Sequence, residues 1–97
     1  MLPADVDRFI ARRFEPAQRA EARALLETAT LHDGSAPGER LLRCAAVASG
    51  GSLERLRVEI ETLRRDCRDV VVEGEYVPQG IGLRRVRNLN EPIPDDA

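Results

Sequence analysis

The sequence has no lysine, no tryptophan and only three large aromatic rings, those of Phe9, Phe14 and Tyr76. Burial must therefore rest on aliphatic side chains, each of which contributes roughly 1.5–3 kcal/mol when fully buried. A chain of 97 residues supplies one domain, and small domains bury a smaller fraction of their surface than large ones. We expect one modest core that a second subunit would help to stabilise.

Long apolar runs are also missing. None approaches the ~18 residues of a membrane span, and the first predicted helix carries Asp5, Asp7 and Arg8 where a signal peptide would be apolar. This pattern predicts a cytoplasmic protein without a membrane partner. Fifteen basic residues, all arginine, are balanced by seventeen acids for a net charge of −2, which argues against a general polyanion-binding surface.

The spacing of apolar residues predicts three short amphipathic helices, at residues 5–13, 17–31 and 38–49. Gly50 and Gly51 are expected to end the third helix, one of them as a residue with positive φ, and Ser52 to cap a fourth by accepting from its free N–H groups. The two cysteines, Cys44 and Cys67, fall at apolar positions of separate helices and lack metal-site spacing. They are therefore expected to be reduced, buried thiols, and no cofactor is predicted.

Apolar side chains then recur at intervals of three and four residues along one stripe, here called the seam. It consists of Leu53, Leu56, Ile60, Leu63, Cys67 and Val70. A repeat of about 3.5 residues keeps such a stripe facing a partner helix, in the same chain or in a second copy. On the outer side, Arg55 and Glu59 form one of several pairs four residues apart that favour a helix.

The residues after the seam are ambiguous, because the valines at 70–72 also fit a short strand. The continuing phase of the seam, and the lack of a second strand to pair with, favour a helix to about residue 77. We predict an all-α fold: a four-helix domain at residues 1–77 with a long fourth helix. Residues 78–97, which begin with the helix-breaking Pro78, form an extended and partly mobile C-terminal arm.

Carboxylates on the fourth helix suggest one alternative function. Asp66, Asp69 and Glu73 lie on one helix face, and with His32, the only histidine, they are a candidate metal-binding set. The usual di-metal pattern, histidine three residues after glutamate, is missing, and neighbouring arginines are close enough to pair with the carboxylates. A solvated ion-pair face is therefore the preferred interpretation.

Three arginines of the arm, Arg84, Arg85 and Arg87, suggest a weaker alternative. They would contact phosphates or an acidic protein groove. Without interleaved aromatic rings they are a poor nucleic-acid signal, so pairing with acids of the helices is preferred over a nucleic-acid accessory role.

The segment Leu53-Glu54-Arg55-Leu56, followed by Asp66-Cys67-Arg68-Asp69-Val70 and Glu75-Tyr76, comes after a glycine-terminated helix. This pattern resembles short bacterial proteins that contain a domain of unknown function, over residues 40–77. The resemblance implies a helical fold and a bacterial, cytoplasmic setting, and it assigns no catalytic residue.

No catalytic triad or phosphate-binding loop has the spacing that its chemistry requires. The sequence therefore favours a non-catalytic protein, namely a protein-interaction or homodimerisation module that acts through the seam.

Overall fold

The computed structural model describes residues 1–97 and contains five α-helices and one β-hairpin. The helices are α1 (Ala4–Arg13), α2 (Arg19–Glu27), α3 (Glu39–Ser49), α4 (Leu53–Arg65) and α5 (Cys67–Glu75). Strands β1 (Tyr76–Gln79) and β2 (Gly82–Arg85) pair antiparallel. The predicted, predominantly helical fold is confirmed. The chain has five α-helices where four were predicted, and it has a two-stranded sheet where none was predicted.

The predicted long fourth helix is divided at Asp66. This residue is extended, with φ −157° and ψ 98°, and its carboxylate accepts a hydrogen bond from the backbone N–H of Arg68 at 3.1 Å. Aspartate favours this position because its short side chain reaches a free N–H at the start of a helix. The break lets α5 turn back beside α4, and the two helices are in contact.

The chain leaves α5 as a strand, so the extension of the helix to residue 77 is wrong. Val77 in β1 lies opposite Arg84 in β2, and the loop between the strands is Gly80-Ile81. Gly80 has φ +61°, which glycine adopts without strain. The second strand comes from the segment that was predicted as an arm, which is why the sequence showed no partner for β1.

The seam packs inside the chain. Leu53, Leu56, Leu63 and Val70 are buried in one cluster with apolar residues of α3, while Ile60 and Cys67 are half-buried against it. Helix α3 packs on both α4 and α5, and a Cβ at Gly74 would lie 2.7 Å from the Cα of Cys44. The partner of the seam is therefore a helix of the same chain, approached closely because α5 has a glycine there.

The segment after β2 returns to the helices and joins the core through Leu89 and Ile93, both of which are buried. The backbone N–H of Ile93 donates to Asp5 at 3.0 Å, and that of Leu89 donates to Glu75 at 3.2 Å. Residues 78–97 thus include the end of β1, the whole of β2 and a packed segment. The predicted mobility of part of this region stays a prediction. None of the helices has both the length and the apolar character to cross a lipid bilayer.

Candidate functional site: an acidic groove and a β-hairpin

A groove of about 450 Å³ lies between α4 and α5. Its lining residues are Arg55, Val58, Glu59, Thr62, Asp69, Val72 and Glu73. Val58 and Val72 are exposed to solvent despite their apolar side chains, and three of the other residues are carboxylates. The groove therefore combines apolar walls with negative charge.

Glu59 has the least exposed side chain of the groove, at 3%. Its Oε2 atom accepts no hydrogen bond and is the only buried side-chain oxygen or nitrogen in the chain without a partner. Burial and the charge of Glu73 raise the pKa of Glu59, while Arg55 opposes this shift. A buried polar atom without a partner lowers the stability of the fold, because it has lost its hydrogen bonds to water and gained none within the protein.

Arg55 is the one cation that lines the groove, and two carboxylates share it. Its Nη2 atom lies 3.6 Å from Glu59 Oε1 and 3.6 Å from Glu73 Oε2. Both distances exceed those of a hydrogen bond, and the arginine side chain is 55% exposed. Asp69 has no ion pair within 4.0 Å, so the groove keeps an excess of negative charge.

The residues of the predicted metal set are not brought together. Asp66 caps α5, and the hydrogen bond from Arg68 lowers its pKa. Asp69 and Glu73 line the groove, whereas His32 lies in the loop between α2 and α3. No group of three or more His, Cys, Asp or Glu side chains is arranged to hold a metal ion.

Two of the three predicted anion-contact arginines bond within the chain. Arg85 Nη2 lies 2.7 Å from Glu75 Oε1, and Arg87 Nη1 donates to the carbonyl oxygen of Gly74 at 2.8 Å. Arg84 is exposed and has neither an ion pair nor a side-chain hydrogen bond. Of the predicted cluster, only Arg84 keeps its guanidinium free for a partner.

The hairpin that carries these arginines also exposes apolar side chains. Ile81 at its tip is fully exposed, Leu83 in β2 is 56% exposed, and Val86 follows them at the surface. Every residue of β2 is exposed, and no further strand pairs with it. An exposed strand edge beside apolar side chains is a typical place for another chain to bind.

Sequence reasoning missed two buried carboxylates that hold the fold together. Glu75 accepts hydrogen bonds from Arg40 at 2.9 Å, from Arg85 at 3.0 Å and from the Leu89 N–H. Burial alone would raise the pKa of Glu75, but these donors lower it to about 2. Asp5 Oδ2 likewise accepts a hydrogen bond from Arg43 Nε at 2.9 Å. The partners lie 10 to 38 positions away along the chain, so no local pattern pointed to them.

Cys44 lies against Glu75 and is fully buried. Burial, followed by the charge of Glu75, raises the pKa of the thiol to about 12. This pKa favours the protonated thiol at neutral pH, whereas a thiol nucleophile must be deprotonated. Cys44 therefore contributes to the packing of the core. Cys67 is half-buried, and neither cysteine forms a disulfide.

Comparison of the chain with family models, with curated proteins and with solved structures found no match in any of the three. No residue role is therefore transferred from another protein.

Proposed function

We propose that this chain is a small, non-catalytic protein-interaction module that binds an extended, acidic segment of a partner protein along the free edge of β2. The observation that carries the proposal is that the sheet ends at β2, a strand whose residues are all exposed. A two-stranded hairpin is marginal by itself, and a third strand adds backbone hydrogen bonds. The bacterial, cytoplasmic setting implied by the sequence resemblance remains part of this proposal.

The register identifies β2 as the better edge. Gln79 pairs with Gly82 across the loop, and the Val86 N–H donates to the backbone carbonyl oxygen of Glu75 at the other end of the ladder. Because hydrogen-bonded and non-hydrogen-bonded pairs alternate, the N–H and C=O groups of Leu83 and Arg85 point outward. The outward position on β1 opposite Leu83 is Pro78, which has no N–H to donate.

The side chains of β2 suggest the chemistry of the partner strand. Arg84 has no carboxylate partner within the chain, and Leu83 exposes apolar surface on the opposite face of the strand. A paired strand gains stability from opposite charges and from apolar neighbours placed across from these side chains. An acidic segment with an apolar residue on its other face complements both.

In this proposal the partner binds the edge of β2 and not the seam. Homodimerisation through the seam would need apolar side chains that α3 already covers, so a second copy that used them would have to displace α3. Nucleic-acid binding would depend on Arg84 alone, since Arg85 and Arg87 are bonded within the chain. A protein strand uses the backbone edge, the apolar side chain and the free arginine together.

A peptide display selection on the immobilised protein tests this proposal, because the partner is unidentified. Selected peptides are synthesised and their Kd values are measured by calorimetry. Leu83→Pro removes one outward N–H and leaves the hydrogen bonds to β1 in place, while Leu83→Ala removes the side chain and keeps the N–H. We expect Leu83→Pro to weaken binding at least about tenfold, the equivalent of 1.4 kcal/mol, and Leu83→Ala to weaken it less.

Arg84→Gln is expected to weaken the binding of acidic peptides in particular, and added salt should reduce the difference in Kd between this variant and the original protein. Circular dichroism and melting temperature show whether each variant is folded. Selected peptides that bind Leu83→Pro as tightly as the original protein would refute the edge assignment. A selection that yields no binding peptide would also contradict it.

A further inference from the structure

A second site, independent of the hairpin, lies in the groove between α4 and α5. We propose that Glu59 binds the cationic end of an alkyl chain there, a guanidinium or primary ammonium group whose alkyl part lies between Val58 and Val72. Such a group belongs to an arginine or lysine side chain or to a free amine.

The unpartnered Glu59 Oε2 is the first support. Its side chain is 3% exposed, so water reaches it poorly, and no donor within the chain reaches it. Thr62, its neighbour on α4, donates its hydroxyl hydrogen to the Val58 carbonyl oxygen at 2.9 Å instead. A ligand that brings N–H donors to Oε2 would satisfy the atom that the fold leaves without a partner.

The weak ion pairs that Arg55 forms with the groove carboxylates are the second support. Its Nη2 atom is 3.6 Å from both Glu59 and Glu73, so it shares its charge between them without a hydrogen bond to either. Asp69 adds a further carboxylate to the lining. The excess negative charge attracts a second cation, and hydrogen bonds between ionised groups are the strong ones.

The shape and lining of the groove favour an organic cation. Divalent metals require several oxygen ligands at close range, and no three acidic side chains are so arranged. By contrast, Val58 and Val72 offer exposed apolar surface on the two walls. Arginine and lysine side chains bury their alkyl stems on such surface and place the charged end against a carboxylate.

The experiment compares two probes of nearly the same shape, N-butylguanidinium, which is charged, and N-butylurea, which is neutral. Each is titrated into isotope-labelled protein, and the chemical shifts of groove residues are followed by NMR. We expect saturable shifts in residues 55–62 and 69–73 with N-butylguanidinium, in the millimolar range, and none with N-butylurea. This comparison uses the unaltered protein, so it does not depend on any variant being folded.

Two matched substitutions locate the contact. Glu59→Gln removes the charge at constant size and should weaken N-butylguanidinium binding at least about tenfold. Glu61→Gln, an exposed acid outside the groove lining, should leave binding unchanged. A peptide with a single internal arginine then separates the sources: tighter binding of the peptide indicates a protein side chain, and tighter binding of the small cation indicates a free amine.

Several results would overturn the proposal. Equal shifts with both probes would show that charge is not recognised, and unchanged affinity in Glu59→Gln would place the cation elsewhere. Absence of saturable shifts would remove the site. The same shifts produced by Mg²⁺ at lower concentration would replace the organic cation by a metal ion.

Discussion

Substitution of Glu75 by glutamine gives the sharpest test of the ion pairs and hydrogen bonds that surround this buried carboxylate. The carboxylate is fully buried and binds two arginines and a backbone N–H. Burial alone would raise its pKa, but these donors lower it from 4.5 to about 2. One pKa unit corresponds to about 1.4 kcal/mol, so ionised Glu75 stabilises the fold by about 3 kcal/mol at neutral pH. Glutamine keeps the size of the side chain and removes its charge, so we expect Glu75→Gln to lower the free energy of unfolding by about 3 kcal/mol at neutral pH.

The pH dependence has a defined sign. A carboxylate whose pKa is lower in the folded than in the unfolded state contributes stability above its unfolded pKa, and this contribution is lost as the pH falls towards the folded pKa. The difference in unfolding free energy between the original protein and Glu75→Gln should therefore shrink between pH 4.5 and about 2. The pKa of Asp5 is also lowered, by Arg43 against the effect of burial, but Asp5 titrates in both proteins, so its effect largely cancels in the difference.

Urea unfolding followed by circular dichroism, at neutral and at acidic pH, measures this difference. Glu91→Gln is the control, because Glu91 is exposed and has no ion pair, and it should change the unfolding free energy by less than about 0.5 kcal/mol. A loss below about 1 kcal/mol for Glu75→Gln at neutral pH, or a difference that does not shrink in acid, would refute the reasoning.

Three further substitutions test local features by thermal unfolding. Gly74→Ala places a Cβ 2.7 Å from the α3 backbone and should cost about 1–3 kcal/mol, whereas Gly82→Ala, with no atom closer than 4.0 Å, should leave the melting temperature nearly unchanged. Asp66→Ala removes the cap of α5 and should cost about 1 kcal/mol; a variant as stable as the original would show that the cap is dispensable. Ile93→Ala should cost about 2–4 kcal/mol because Ile93 is buried, and an effect as small as that of the exposed Ile81→Ala would show that the segment after β2 is not packed in solution.

The parts of the fold that depend on local spacing could be predicted. Four of the six seam residues are buried and the other two pack half-buried against the same core, as the periodicity predicts. Ser52 caps α4 by accepting from the Arg55 N–H at 3.2 Å. Of the two glycines expected to end α3, it is Gly50, with φ +61°, that does so in the left-handed conformation that glycine favours. These features need only neighbouring residues, so the sequence contains the information in a short window.

The break at Asp66 could not be read from the same periodicity, because a one-residue interruption leaves the seam in phase. The hairpin was hidden for a similar reason, since an arginine-rich β2 lacks the apolar alternation of a typical strand. Glu59 looked like half of a surface pair with Arg55, four residues before it. It becomes buried because α5 turns back beside α4, so the candidate groove depends on a break that the sequence pattern concealed.

The hydrogen bond from the Ile93 N–H to Asp5 joins positions 88 residues apart. Closing so long a loop costs chain entropy before any contact compensates it, so contacts of this kind form late in folding. We therefore expect substitutions at Asp5 and Ile93 to accelerate unfolding and to leave the folding rate nearly unchanged. The segment around Ile93 should also be the first to detach from the helices, which would make its amides exchange with solvent sooner than those of α3.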